Sequence, residues 1–194
     1  LSKTAYNFMG GIMNSAEALT AWFNPTINSY KRINAPVTAS GATWSPNTIT
    51  YSGNNRTHMI RVPGPGRFEL RLMDGATNPY LLQAGIIAAG IEGLEKKRNP
   101  GKPVNLNMYE EAHKLKGAKK LPLTLQQSLT HLNNNKVLKS AFGKDVIDSY
   151  ITLKNREIKK YNSSKEKKIG FKGSKTSGKS NIITQWERDN TLDC

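Results

Sequence analysis

Five residues about a third of the way along the chain, "RFELR", set the first question. Arg67, Glu69 and Arg71 alternate with Phe68 and Leu70. In an extended strand, alternate side chains share a face, so three charges fall on one side and the apolar residues on the other. Two guanidinium forks around a carboxylate suit two tasks. The forks bind phosphate or carboxylate oxygens. The carboxylate can hold a hard cation that also touches phosphate. The same pattern also makes an ordinary Arg–Glu–Arg ion-pair ladder on an exposed sheet.

The neighbourhood favours recognition of anions. Arg32, Arg56 and Arg61 join Arg67 and Arg71, and no lysine lies between positions 32 and 71. Arginine orients oxyanions better than lysine does, because its planar fork matches them. Lysine dominates elsewhere. Residues 1–92 hold 7 basic and 4 acidic side chains, and residues 93–194 hold 22 and 10. The net charge of +15 is therefore mostly a property of the second half. That half holds "GSKTSGKS" (173–180), which fits the letters of a phosphate-binding P-loop. A P-loop needs a buried strand before it, and "SSKEKKIGFK" is not one, so no nucleotide site is expected there. A basic protein that binds anions or nucleic acid non-catalytically is the reading from a different class. Against it, residues 154–180 contain 10 basic side chains but just two aromatics, Tyr161 and Phe171, and no nucleic-acid motif.

The elements that would position these residues can be read from periodicity. Phe8, Met9, Ile12, Met13, Ala16, Leu19, Trp22 and Phe23 predict one amphipathic helix, ended by Asn24-Pro25. "NPTINSYKRINAP" reads as an ordered loop. Two strands follow, "NNRTHMIRV" and "RFELRLM", joined tightly by "PGPG". Asn78-Pro79 opens a helix, "PYLLQAGIIAAGIEGLEKK", apolar on nearly all sides and so expected to be buried, with its Ala and Gly residues packed closely. Two more helices are expected in "LPLTLQQSLTHL" and "GKDVIDSYITLKNREIKKY". The organisation is thus α+β: a domain over 1–162, a flexible Lys/Ser/Gly-rich insert over 163–180, and a terminal segment over 181–194.

The apolar runs are too short to span a membrane. The single cysteine, Cys194, excludes an internal disulfide framework and suits a reducing, cytoplasmic setting. The chain opens at Leu1, directly in helical periodicity, so further sequence is expected upstream. His58, His113 and His131 lack metal-ligand spacing, and His58 reads as structural. Tyr109 reads as an exposed loop residue, and Met9 and Met13 as core packing.

"NPTINSYKR", "GNNRTHMIRVP", "RFELRLMDGATNPYLL" and "IIAAGIEGL" resemble the C-terminal half of the catalytic domain of glutamine synthetase. The resemblance runs over about residues 5–95. "QWERDNTLDC" and "NNRTHMIRVPGPGRFELRL" are more similar to the type III branch, which includes γ-glutamylmethylamide synthetase-like ligases. The resemblance implies an antiparallel-sheet catalytic domain flanked by helices, here as a C-terminal fragment. It implies an ATP-dependent ligase that makes glutamine, or a γ-glutamyl amide, through γ-glutamyl phosphate. By resemblance, Arg32, Arg56 and Arg71 would bind glutamate, Arg56 would also be the catalytic residue beside the transferred phosphate, and Arg61 and Arg67 would contact ATP. Glu69 would be a ligand of Mg2+ or Mn2+.

The partners implied are glutamate, ATP, ammonia or a small amine such as methylamine, and further copies of the chain in a dodecamer-type double ring. No membrane is implied, and nucleic acid is not expected. The loop after Arg32, "INAPVTASGATW", has no acidic residue where many family members carry a glutamate that helps deprotonate ammonium. The amine is therefore left open. The family's other metal ligands and its N-terminal β-grasp domain are not in this sequence, so the fragment alone is expected to be inactive.

Overall fold

The computed structural model describes residues 1–33, 45–164 and 184–191. Three helices open the chain: α1 (Lys3–Asn14), α2 (Ala16–Phe23) and α3 (Ile27–Ile33). A small sheet follows, with β1 (Tyr51–Ser52), β2 (Ile60–Gly64) and β3 (Arg67–Leu70). The rest is helical: α4 (Pro79–Glu95), a 3-10 turn at Ala112–Lys114, α5 (Leu125–Asn134), α6 (Lys136–Phe142), α7 (Lys144–Ser163) and α8 (Gln185–Thr191). The class is α+β.

The predicted first helix is two. Ser15 leaves the helical geometry (φ −101, ψ 5), although its carbonyl still accepts from Leu19 N at 2.9 Å. The bend lets α1 pack on α4 while α2 packs on α5. The stop at Asn24-Pro25 holds, with Asn24 extended away from helix (φ −135, ψ 71). The segment read as a loop contains α3. Apart from Lys31 and Arg32 its residues are weak helix formers, but Thr26 and Ser29 cap it reciprocally and Tyr30 anchors it, so tertiary contacts override propensity. Helix α6 was not legible. It is short, capped by Asn135 Oδ1 on Leu138 N (2.9 Å) and stopped by Gly143 at φ +79.

The sheet is mixed. β2 and β3 pair antiparallel as the hairpin the sequence implies, and β1 adds to β2 in parallel. Gly66 turns the hairpin at φ +77, a conformation that glycine adopts without cost. On β3, Phe68 and Leu70 pack against the core, while Arg67 and Glu69 are exposed, as the alternation predicts.

Helix α4 starts where expected. Pro79 stands at its first position, and Asn78 Oδ1 accepts from Tyr80 N and Leu81 N. Its glycines permit close packing: a Cβ on Gly11 would lie 2.0 Å from the Ala89 carbonyl, so α1 and α4 meet backbone to backbone. The expectation of burial on nearly all sides fails. Tyr80, Ile87 and Ile91 are 82%, 53% and 46% exposed. Apolar residues all round a helix require neighbours all round, and the described residues cover one side of α4. The core lies between the helices, where Trp22 meets Phe142 and Tyr150 edge-on at 4.9 and 6.4 Å. No helix among the described residues is long and apolar enough to cross a membrane.

Candidate active site

The β2–β3 hairpin fixes the charged ladder. Its register sets Arg61 directly opposite Glu69. Arg61 Nη1 donates to Glu69 Oε2 at 2.9 Å, and Arg71 Nε lies 3.2 Å from Glu69 Oε1. Each carboxylate oxygen therefore faces a different arginine. Arg61 also donates from Nε to Asn54 Oδ1 (2.8 Å), with a second, shorter bond from Nη2 to the same oxygen. Glu69 is 44% exposed, so the ladder itself contributes little stability, on the order of 1 kcal/mol or less. Its effect is to aim the forks. Arg67 and Arg56 are exposed, and among the described residues no side-chain hydrogen bond or ion pair restrains either one.

Arg32 is set differently. It projects from α3 and is partly buried, and its Nη2 donates to Asn24 Oδ1 and to the Leu72 carbonyl, both at 2.7 Å. Burial lowers its pKa from the usual value, opposed by the negative charge of Asp74. Asn24 is fully buried and also donates from Nδ2 to the Leu72 carbonyl at 3.0 Å. The residue that ends α2 thus ties the end of the hairpin strand to Arg32. Sequence reasoning read Asn24 merely as a helix stop. The available signal was an amide side chain, able both to donate and to accept, directly before proline.

Tyr109 also differs from expectation. It is half-buried with its hydroxyl covered, not an exposed loop residue. Burial raises its pKa, and the charges of Arg71 and Arg32 act in the opposite direction, so the phenol lies within the field of both arginines. The loop carrying it hangs on the sheet. Met108 N donates to Thr57 Oγ1 (3.0 Å), and Asn55 Nδ2 donates to the Leu106 carbonyl (3.0 Å). His58 completes this suspension. It is fully buried; Nε2 donates to the Leu106 carbonyl (3.0 Å), which makes Nδ1 the acceptor for the Thr50 hydroxyl (2.9 Å). Burial lowers its pKa. His58 is a structural residue, as its spacing suggested.

A divalent cation such as Mg2+ takes six oxygens in octahedral geometry. Among the described residues no three His, Cys, Asp or Glu side chains are grouped to hold one. Glu69 alone offers a carboxylate to the ladder, and both of its oxygens face guanidinium groups. These residues do not by themselves make a metal site. The loop after Arg32 and the "GSKTSGKS" run lie outside the described residues.

A family model described as the catalytic domain of glutamine synthetase matches residues 1–169. A glutamine synthetase of Rhizobium leguminosarum bv. phaseoli is 53% identical over 193 residues, spanning 100% of this chain and 40% of that protein. A glutamate–methylamine ligase of Methyloversatilis universalis is 44% identical over 164 residues, spanning 83% of this chain and 37% of that protein. A solved structure described as a GmaS/ADP complex matches 100% of this chain and 40% of that chain, with a TM-score of 0.79 and 48% identity. The chain therefore spans about two fifths of the length of the relatives it matches.

Proposed function

Because the chain belongs to the glutamine synthetase catalytic-domain family, we propose that it is part of an ATP-dependent ligase joining glutamate to ammonia or a small amine. In that reaction the γ-carboxylate oxygen of glutamate attacks the terminal phosphorus of ATP and ADP departs. The amine nitrogen then attacks the acyl carbon, phosphate leaves with the C–O bonding pair, and the nitrogen loses a proton. Two anions must be held together while charge moves between them, which preorganised guanidinium groups favour.

The observation that carries this reading is the hairpin ladder. Arg61 and Arg71 are aimed by one carboxylate, with Arg67 free on the same strand and Arg32 fixed nearby through Leu72. Arg32 and Arg71 are assigned to glutamate. Arg56 is assigned to glutamate and the transferred phosphate, and its unrestrained side chain suits a group that must follow a moving charge. Arg61 and Arg67 are assigned to ATP phosphates. The family uses ATP and a divalent metal. Glu69 is proposed as the one metal ligand that these residues add to a larger set. Tyr109 is proposed to border the glutamate arginines.

The amine is ammonia or methylamine, and matched relatives are named for each. The test is turnover of the complete protein with ATP and glutamate, comparing ammonia with methylamine and following phosphate release. Phosphate release that requires both glutamate and an amine supports the ligase. ATP hydrolysis indifferent to glutamate refutes it. The 194-residue chain alone is expected to be inactive, because Glu69 cannot hold a metal unaided. Assembly into a homo-oligomeric ring and a cytoplasmic location belong to the same proposal; light scattering on the complete protein checks the first.

A further inference from the structure

Helix α3 has seven residues, well below the roughly 12–15 that an isolated helix needs in water. Its geometry must come from what touches it. At its start, Thr26 and Ser29 bond each other through hydroxyls (2.9 Å) and backbone. In its middle, the Tyr30 hydroxyl meets Ser128 of α5 at 2.5 Å. At its end, Lys31 makes an ion pair with Glu187 of α8, more than 150 positions away in sequence.

Glu187 is fully buried. Its carboxylate also accepts from Thr184 N (2.7 Å) and Thr184 Oγ1 (3.1 Å), while Glu187 N donates back to the Thr184 hydroxyl at 3.4 Å. "TQWE" is thus a capping box that opens α8 and aims its carboxylate at α3. Trp186 packs edge-on against Tyr161 of α7 at 5.2 Å, and the Lys31 ammonium stands 5.9 Å from the same ring. The last described helix is therefore docked against the residue that immediately precedes Arg32.

Stability alone is a poor reason for such a pair. Burying two charges is costly, and apolar residues of similar volume often serve as well or better. What a buried pair adds is a defined geometry. We propose that Glu187 and Lys31 form a brace that holds the end of α3, so that α8 positions Arg32 for glutamate. This rests on the assignment of Arg32 to glutamate. Neither brace residue touches substrate; both are positioning residues. The terminal segment thereby becomes a working part of the glutamate site, although it lies far from the arginine cluster in sequence.

The experiment uses the complete protein and four variants: Glu187→Gln, Glu187→Asp, Lys31→Met and Arg32→Ala. Glu187→Gln and Lys31→Met are expected to raise KM for glutamate by about tenfold and to leave KM for ATP within about twofold. Glu187→Asp, which keeps the charge, is expected to recover part of the loss. A purely structural brace would lower the melting temperature and the active fraction while leaving both KM values unchanged, and that result overturns the proposal. Arg32→Ala separates the two claims. If it leaves KM for glutamate unchanged, the substrate assignment fails. If it raises that KM while Glu187→Gln and Lys31→Met do not, the brace fails. Should Glu187→Gln not fold, Lys31→Met decides alone, because it leaves the Thr184–Glu187 cap intact.

Discussion

The arginines around the hairpin and the lysines at the two ends of α7 carry the same charge in opposite circumstances. Arg32 is partly buried and bonded to Asn24 and a backbone carbonyl, and Arg61 and Arg71 flank one carboxylate across a strand pair. Lys144 is 79% exposed and reaches Asp148 one helical turn away at 3.7 Å, while Lys159 and Lys160 are simply exposed. Arg32 is oriented by residues of other elements, and Arg61 and Arg71 by a carboxylate of the hairpin. Among the described residues, the second group is oriented at most by its own helix. A net charge of +15 therefore says little about function, since equal charges on this chain are held so differently.

The largest effect should come from the oriented group. In the complete protein, Arg71→Ala or Arg32→Ala is expected to lower kcat/KM for glutamate by about 100-fold or more, the scale of a lost charge-assisted contact. Lys144→Ala is expected to leave it unchanged. Equal losses in steady-state kinetics would erase the contrast between the two regions.

Next is the residue that holds Arg32. Asn24→Ala removes an acceptor from a partly buried guanidinium and a donor from the Leu72 carbonyl. A loss of about 1–3 kcal/mol in denaturant unfolding is expected, together with a raised KM for glutamate. A stability loss with unchanged KM would mean that Asn24 supports the fold without orienting Arg32.

A smaller effect comes from pH. The His58 pKa is lowered in the folded state by burial, so the unfolded chain binds the proton more tightly. The stabilisation is present above the unfolded pKa of about 6.5 and is lost as pH falls through the lower folded value. Thermal melts from pH 7.5 to 5 should show the midpoint dropping. His58→Asn should flatten this dependence, and a slope unchanged by the substitution would assign it to other groups. The smallest effect belongs to the lysines. Lys144→Ala should change stability by less than about 0.5 kcal/mol. Any binding of a polyanion by the basic half should weaken steeply with salt and be indifferent to Arg67→Ala. Binding abolished by Arg67→Ala would instead join the two regions.

The candidate site was legible in the sequence to an unusual degree, because it is built on a strand. Alternation put Arg67 and Glu69 on one face, and "PGPG" set the hairpin that brings Arg61 opposite Glu69. Asn78-Pro79 marked the start of α4, and its alanines and glycines marked the close approach to α1. The failures share a cause. The break at Ser15, helix α3 and the exposed face of α4 each depend on what lies beside the segment. Local pattern does not record that.

By itself, then, the sequence determined the α+β class, the charged face of the hairpin and the arginine cluster, since periods of two and 3.6 residues and turn chemistry are local. Tertiary structure alone decided that Asn24 holds Arg32, that Tyr109 lies within the field of two arginines, and that Glu187 reaches Lys31. Each joins residues distant in sequence or on different elements, and what brings them together is the packing of the helices around one core.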